Sequence, residues 1–251
     1  MQITERTIAE RVATARAAVD YLTTRTAAEQ AQPVPNCPGW TVRGAAVHVC
    51  RVSIAWESMM KAAATDADSR ARGYEISAAR PEGVSMPELA SWAHSALDQA
   101  ATEPALPCYH SMSGGPGDTA LWAWHSASEI GVHQMDVEAA LGHRHAITTD
   151  EGVDGALYVA TFVSNALRAH SGEDPGSLQL ELLDGDGGLV GRLEVSSSVA
   201  ASATVRGPAE HIMGALWGRR SPTVEVVGGD EQVWSRWQDL PGKAFQFGTW
   251  D

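Results

Sequence analysis

The sequence has 251 residues and a formal net charge of −13, which argues against nucleic acid or an anionic membrane surface as the main partner. Hydrophobic residues make up 44% of the chain and charged residues 20%, so the composition predicts a folded protein with a substantial core and excludes a disordered chain. We find no apolar stretch near the roughly 20 residues that a membrane-spanning helix needs.

The first half of the sequence predicts four long helices, over residues 5–29, 42–64, 87–102 and 118–141. Prolines between residues 33 and 38 end the first helix, and Thr41 is a suitable N-cap for the second. The segments 65–85 and 111–118 are polar or glycine-rich and predict irregular structure, while Gly142 ends the last helix. Four long helices in this part of the chain favour a helical bundle.

The second half of the sequence combines helices with strands. Helical patterns cover residues 151–170, 208–217 and 230–238, and period-two alternation or β-branched runs predict strands over 178–182, 189–195, 203–206 and 223–227. We therefore expect two domains: a helical bundle over residues 1–147 and a small α+β domain over residues 148–251.

Glu129 and His133 lie four positions apart in the fourth predicted helix. Four positions are about one helical turn, so both side chains project from one face, roughly 6 Å apart along the axis. A carboxylate and an imidazole in this arrangement can bind one divalent metal ion. Such pairs also occur on solvated helix faces, so the spacing alone leaves both interpretations open.

His48 is a candidate third ligand, because it lies on the second predicted helix among small apolar residues. A single histidine in such a helix is more often an ordinary core or surface residue. Together with Glu129 and His133, however, it completes the set of two histidines and one carboxylate that a catalytic zinc site uses with one coordination position left open.

These residues resemble a known family. The sequence Gly39-Trp40-Thr41, with His48 eight positions after the tryptophan, and the later Glu-x-x-x-His-x-x-Asp of residues 129–136 are similar to the mycothiol-dependent maleylpyruvate isomerase family. That family belongs to the DinB-like superfamily of metal-binding four-helix bundles. Residues 203–210 and 216–219 resemble its small α+β C-terminal domain.

The resemblance implies a ligand set and a cofactor. His48, Glu129 and His133 would bind a divalent metal, with zinc the expected ion. The fourth position would take water or the thiolate of mycothiol, the low-molecular-weight thiol of actinobacteria. Arg219 lies where the family carries an arginine, and it would bind a substrate carboxylate through a bidentate contact.

Further residues extend or modify this expectation. Asp136 is a candidate acceptor for a ligating imidazole, although a solvated aspartate at this position is an equally good interpretation. His125 precedes Glu129 by four positions and is a candidate acid/base or hydrogen-bonding group that lines the site. Where the family often carries arginines, this chain has Ser126, Ser128 and Gln134, so a dianionic substrate fits less well.

The expected activity is addition of an activated thiolate to a small electrophilic organic substrate, giving cis–trans isomerisation or S-transfer, and the resemblance favours the isomerase. Two alternatives stay open. The protein could be a natural-product tailoring enzyme on the same scaffold that does not use mycothiol, or a metal-binding bundle protein without catalysis. The sequence leaves the oligomeric state open between monomer and dimer.

The cellular location is expected to be cytoplasmic. The N-terminal residues lack the apolar segment of a signal peptide, so export is not indicated. The three cysteines, Cys37, Cys50 and Cys108, form no CxxC motif and fit a reducing compartment. We expect each of them to be a small buried or partly buried residue rather than a nucleophile.

Overall fold

The structure is a computed structural model that describes residues 6–143 and 146–244. The chain forms two compact units, one containing residues 6–143 and the other residues 146–244. The N-terminal residues 1–5, on which the expectation about export depends, lie outside the described ranges, and the domain boundary at residue 147 stays a prediction. In the described part of the chain, no helix has both the length and the apolarity that a membrane span requires.

The first unit is the expected helical domain. Its helices are α1 (Ile8–Thr23), α2 (Ala27–Gln30), α3 (Val42–Met60), α4 (Ser69–Ala78), α5 (Met86–Ala100) and α6 (Thr119–Leu141). The four long helices α1, α3, α5 and α6 correspond to the four predicted ones, and each packs against the other three. The helix α3 is buried over most of its surface, and its polar residues His48, Arg51 and Ser53 are among the buried ones.

The prediction of one continuous helix over residues 5–29 is wrong. The helix α1 ends at Thr23, and Thr26 is the N-cap of the short α2. A reciprocal capping box explains the break: the Thr26 hydroxyl accepts from the backbone N–H of Glu29, and the Glu29 carboxylate accepts from the backbone N–H of Thr26. This local pairing satisfies backbone donors at a new helix start and competes with continuation of α1.

The expectation of irregular structure over residues 65–85 is also wrong, because this segment contains α4. Tertiary contacts with α3 stabilise a helix that has little amphipathic pattern of its own. A Cβ atom added at Gly73 would lie 2.9 Å from the Ala55 carbonyl oxygen, so the two backbones are in close contact. The Ser77 hydroxyl donates to the Arg51 carbonyl oxygen at 2.7 Å, and the Arg51 guanidinium donates to the Ser77 carbonyl oxygen at 3.2 Å.

The glycine-rich segment 111–118 is not wholly a loop. Strand β1 (Pro107–His110) pairs antiparallel with β2 (Gly115–Asp118), and His110 lies opposite Gly115. The sequence Gly-Pro-Gly-Asp lacks a strand pattern, which is why the hairpin was not predicted. Gly117 is required by packing, since a Cβ atom there would lie 2.6 Å from the Cβ atom of His110. The hairpin thereby fixes His110 beside α6.

The second unit is the expected small α+β domain. It contains α7 (Thr149–Tyr158), a π-helical turn (Val159–Val163), α8 (Ser164–Ser171), β3 (Ser177–Leu183), β4 (Leu189–Val195), β5 (Ser202–Pro208), α9 (Ala209–Leu216), β6 (Glu225–Gly229) and α10 (Glu231–Ala244). The sheet order is β4-β3-β5-β6, with β3 and β5 parallel and the other pairs antiparallel. Alternate leucines of β3 are fully buried, as the period-two pattern predicts.

Candidate metal centre

The structure brings together the three predicted ligands, His48 from α3 and Glu129 and His133 from α6. One ligand atom from each residue lies within 4.8 Å of the other two. The His48 Nε2 atom is 3.7 Å from the Glu129 Oε1 atom. Two ligands of a tetrahedral Zn²⁺ lie about 3.4 Å apart, since each is about 2.1 Å from the ion. The group therefore fits one ion with only small adjustments of the side chains.

Trp40 packs against both imidazole rings of this group. Its ring centroid is 4.8 Å from that of His48 and 5.6 Å from that of His133, and the tryptophan is 4% exposed. The turn before it is fixed by a hydrogen bond from the Trp40 N–H to the Cys37 carbonyl oxygen and by the positive φ of Gly39, 86°. These contacts restrict the orientations of both histidines.

Asp136 contacts the His133 ring on its other nitrogen. The His133 Nδ1 atom lies 3.1 Å from the Asp136 Oδ2 atom, and the aspartate is fully buried. Because a carboxylate accepts, Nδ1 carries the hydrogen and Nε2 keeps the lone pair that a metal needs. The Cys37 thiol and the Asn36 amide also donate to this carboxylate, at 3.4 and 3.3 Å. These contacts favour the interpretation that Asp136 orients the His133 ring over the interpretation that it is a solvated aspartate.

The Cys37, His133 and Asp136 ligand atoms also lie within 4.8 Å of one another, so they form a second possible metal-binding group. The hydrogen bonds among these side chains already explain their proximity. A metal in this position would take the Nδ1 atom of His133 and remove its bond to Asp136. We therefore assign Cys37 and Asp136 to the support of His133 in the first group.

His125 contacts the carboxylate of Glu129 from inside the protein. Its Nε2 atom is 2.7 Å from the Glu129 Oε2 atom, and its ring is fully buried with edge-to-face contacts to Trp56 and Trp122 at 4.7 and 5.2 Å. One carboxylate oxygen of Glu129 thus faces His125 and the other faces His48. His125 is placed to orient Glu129 rather than to serve as a fourth ligand.

The charge of Glu129 is stabilised by these neighbours. Burial of its carboxyl group disfavours ionisation, but the positive electrostatic influence of His125 and His48 outweighs burial and holds the pKa of Glu129 well below its usual range. The carboxylate is therefore ionised at neutral pH, which is the form that binds a divalent cation.

The sequence did not indicate any role for His110. Its ring is fully buried, with its centroid 5.0 Å from that of Trp122 and 6.1 Å from that of His125. The Nδ1 atom accepts from the backbone N–H of Ser113 at 3.3 Å. Burial, followed by the nearby His125, lowers the pKa of His110 to about 3, so the ring is neutral near pH 7. A predicted strand over residues 107–110 would have been needed to place His110 beside α6.

The remaining predicted positions contribute less to this centre. Ser126 and Ser128 are buried, and Gln134 donates to Glu138 along α6 at 2.7 Å. Arg219 belongs to the second unit, where its Nη1 atom donates to the Trp217 carbonyl oxygen at 2.7 Å. Its role in binding a substrate carboxylate stays a prediction.

Two of the cysteines are buried in the first unit, as expected. Burial raises the pKa of Cys50 to about 12, and burial followed by the charge of Asp118 raises the pKa of Cys108 to about 11. Both thiols are therefore protonated near neutral pH and are unsuited to nucleophilic attack.

The fold and the candidate metal centre define a class of proteins: a helical bundle with a His–Glu–His group on two of its helices, followed by a small α+β domain. Residues 9–138 match the mycothiol maleylpyruvate isomerase N-terminal domain, and residues 136–236 match the C-terminal domain of the same family. The N-terminal match alone covers more than half of the chain. The chain belongs to the mycothiol maleylpyruvate isomerase family.

Two solved structures are similar to this chain over nearly their whole length. One is a histidine-to-alanine mutant of the mycothiol-dependent maleylpyruvate isomerase, with 15% identity and a TM-score of 0.59 over 92% of this chain and 97% of that chain. The other is the mycothiol-dependent maleylpyruvate isomerase, with 13% identity, a TM-score of 0.57 and the same coverage. At these identities the similarity shows a common fold. No curated protein sequence matches this chain.

Proposed function

We propose that this protein is a metal-dependent, mycothiol-using enzyme of the maleylpyruvate isomerase type that acts on a small electrophilic double bond. The observation that carries the proposal is the convergence of His48, Glu129 and His133 within 4.8 Å in a chain of this family. Two imidazoles and one carboxylate form a donor set that suits zinc and leaves a coordination position for another ligand. When bound, the divalent metal would favour the thiolate form of a thiol at neutral pH.

The chain's own residues would fix the geometry of that centre. His48 and His133 would bind through their Nε2 atoms and Glu129 through the oxygen that faces His48. Asp136 would keep the hydrogen on the other nitrogen of His133, and His125 would orient the second oxygen of Glu129. Mutations of such supporting residues typically reduce metal affinity or activity about 10- to 100-fold.

The proposed reaction starts with the sulfur of mycothiol forming a bond to one carbon of a cis alkene, while the π electron pair moves into a conjugated carbonyl group. The former double bond can then rotate. Return of the electron pair breaks the carbon–sulfur bond, giving the trans alkene and regenerating the thiolate. Protonation of the adduct would give S-transfer instead. The family favours isomerisation, in which mycothiol is a cofactor and is not consumed.

A second candidate is a tailoring enzyme on the same scaffold that does not use mycothiol. It is supported by Ser126, Ser128 and Gln134, which replace the arginines that the resemblance leads one to expect near the ligands. Buried serines at two of these positions suit a less anionic substrate. A non-catalytic metal-binding protein is the remaining alternative and differs from both enzymes by the absence of turnover.

Metal analysis combined with thiol-dependent turnover tests the proposal. The wild-type protein, His48→Ala and Glu129→Ala are purified with zinc and assayed with mycothiol and a panel of electron-poor cis alkenes. We expect about one zinc per chain in the wild type and loss of zinc and of turnover in both variants. His94→Ala is the matched control, because this histidine pairs with Asp20 on the surface of the bundle.

Unchanged zinc content in His48→Ala and Glu129→Ala would overturn the metal site. Zinc binding without turnover on any of the alkenes would favour the non-catalytic alternative, and turnover that does not depend on mycothiol would favour the tailoring enzyme.

A further inference from the structure

The turn before α3 brings a thiol to the Nδ1 side of the His133 ring. A β-bridge between Pro33 and Thr41 closes this turn, and the Cys37 N–H donates to the Val34 carbonyl oxygen at 3.1 Å. Cys37 is half-buried, and the residues on both sides of it are exposed. A metal ion from solvent can therefore reach the Cys37 sulfur.

One carboxylate oxygen is the common acceptor of two hydrogens at this place. The Oδ2 atom of Asp136 lies 3.4 Å from the Cys37 sulfur and 3.1 Å from the His133 Nδ1 atom. One ligand atom from each of the three residues lies within 4.8 Å of the other two. Sulfur, nitrogen and oxygen ligands that share one tetrahedral ion lie about 3.3–4 Å apart, given bond lengths of about 2.0–2.3 Å. An ion in place of the two hydrogens would therefore need only small movements of these side chains.

The charges of the three residues balance those of a divalent cation. On binding, the Cys37 thiol loses its proton to solvent, and the hydrogen on the His133 ring moves from Nδ1 to Nε2. The ligands are then a thiolate, a neutral imidazole and a carboxylate, so the complex with a divalent ion has no net charge. Asp136 is fully buried, where a neutral complex avoids the cost of an uncompensated charge.

The two metal-binding groups share His133 and cannot use it at the same time. The first group, with His48 and Glu129, needs the lone pair of the His133 Nε2 atom, whereas the second needs the hydrogen on that same atom. A neutral imidazole has only one nitrogen with a free lone pair. Cys37 and Asp136 therefore support the first group only as long as no ion replaces their hydrogen bonds.

The donor atoms separate the two groups by the softness of the ion. The first group offers two nitrogens and one oxygen, while the second offers a thiolate, which soft cations prefer. We propose that Cys37, His133 and Asp136 form a second, competing metal site that binds a soft divalent cation of the cadmium type and withdraws His133 from the first group. The site itself rests on the geometry, and the loss of turnover that it would cause rests on the proposed function.

Titration of the metal-free, full-length protein with Cd²⁺ tests this site. The ultraviolet sulfur-to-cadmium charge-transfer band reports a thiolate ligand, and we expect it in the wild type at about one ion per chain. Cys37→Ser should lose the band. Its zinc affinity should stay within about threefold of the wild type, because the serine hydroxyl still donates to Asp136. Cys50→Ala is the matched control and should keep the band, since Cys50 is fully buried on α3.

Two histidine variants separate the groups. His48→Ala should lose zinc but keep the cadmium band, because His48 belongs only to the first group. His133→Ala should lose zinc and weaken the band, because both groups need this ring. Zinc added to the wild type should suppress the band by occupying the first group, and His48→Ala should need roughly tenfold more zinc or greater for the same suppression.

A band that persists in Cys37→Ser, that disappears in His48→Ala, or that is absent from the wild type would overturn the second site. The two proposals fail in different ways. If the band follows these expectations but mycothiol gives no turnover, the second site stands and the proposed reaction is wrong. If zinc and mycothiol-dependent turnover depend on His48 but Cd²⁺ gives no thiolate band, the reaction stands and the second site is wrong.

Discussion

The Nδ1 atom of His133 lies 3.1 Å from the Oδ2 atom of Asp136, which is fully buried. This carboxylate also accepts from the Cys37 thiol and the Asn36 amide, so its position is fixed from two sides. The same contact that orients the ring also increases the electron density on the nitrogen that faces His48 and Glu129. The strength of metal binding should therefore depend on a residue that would not touch the ion.

Replacing Asp136 by asparagine tests this dependence. We expect Asp136→Asn to lower zinc affinity about 10- to 100-fold, because the neutral amide is a weaker acceptor for the Nδ1 hydrogen. Competition with a chromophoric chelator measures the affinity. Asp98→Asn, at an exposed aspartate that pairs with Arg16, should bind zinc like the wild type. Equal affinity in Asp136→Asn and the wild type would show that the contact does not tune the ligand.

Removal of His125 should make metal binding more sensitive to acid. Burial opposes ionisation of Glu129, and His125 is the strongest of the groups that lower its pKa. In His125→Leu we expect the pKa of Glu129 to rise, so protons compete with zinc at a higher pH than in the wild type. Zinc affinity measured between pH 5 and 8 should fall more steeply towards acid in this variant. Parallel pH profiles would contradict the proposed role of His125.

His110 should make the metal-free protein less stable in acid. The pKa of this buried ring is lowered from 6.5 to about 3, so between these values the unfolded chain binds a proton that the native protein does not. The free energy of unfolding should therefore decrease as the pH falls below 6.5, by up to about 1.4 kcal/mol per pH unit from this group.

Urea unfolding of the metal-free protein at pH 7 and pH 5 measures this effect. The loss of stability between the two pH values should be smaller in His110→Gln than in the wild type, by about 1–2 kcal/mol. The same pH dependence in His110→Gln and the wild type would rule out His110 as its source.

Gly73→Ala tests the close contact between α4 and α3. The new methyl group would lie 2.9 Å from the Ala55 carbonyl oxygen. This oxygen is a backbone atom, so it cannot move away without a shift of α3. Overpacking of this kind costs about 1–3 kcal/mol, while alanine gains only up to about 1 kcal/mol in helix propensity. We expect a lower midpoint of thermal unfolding. Gly115→Ala, where a Cβ meets nothing within 4 Å, should change the midpoint little.

Half of the candidate metal centre could be predicted from the sequence, because the spacing of two of its residues is local. Glu129 and His133 share a helix whose pattern is long and regular, and the helical period alone places them on one face. The proximity of His48 depended on bundle packing, and the resemblance to the family suggested it. The contact between Asp136 and His133 could be predicted for the same reason, because Asp136 follows His133 by less than one turn of the same helix.

Two elements that depend on long-range packing could not be predicted. The helix α4 forms because Gly73 and Ser77 contact α3, and no periodicity in residues 65–85 indicates such contacts. His110 lies on a strand whose partner contains Gly-Pro-Gly, which local propensity assigns to a turn. In both cases the information is in long-range packing rather than in the local pattern.

The attachment of α4 through Gly73 and Ser77 has a consequence for redesign. Both contacts are made to the backbone of α3, the helix that carries His48, so a change at residue 73 or 77 would displace a helix on which the candidate metal centre depends. A library built on this scaffold should therefore keep these two residues fixed and vary exposed positions of α4, such as residues 75 and 76. Surface variation and retention of the fold then become separable traits.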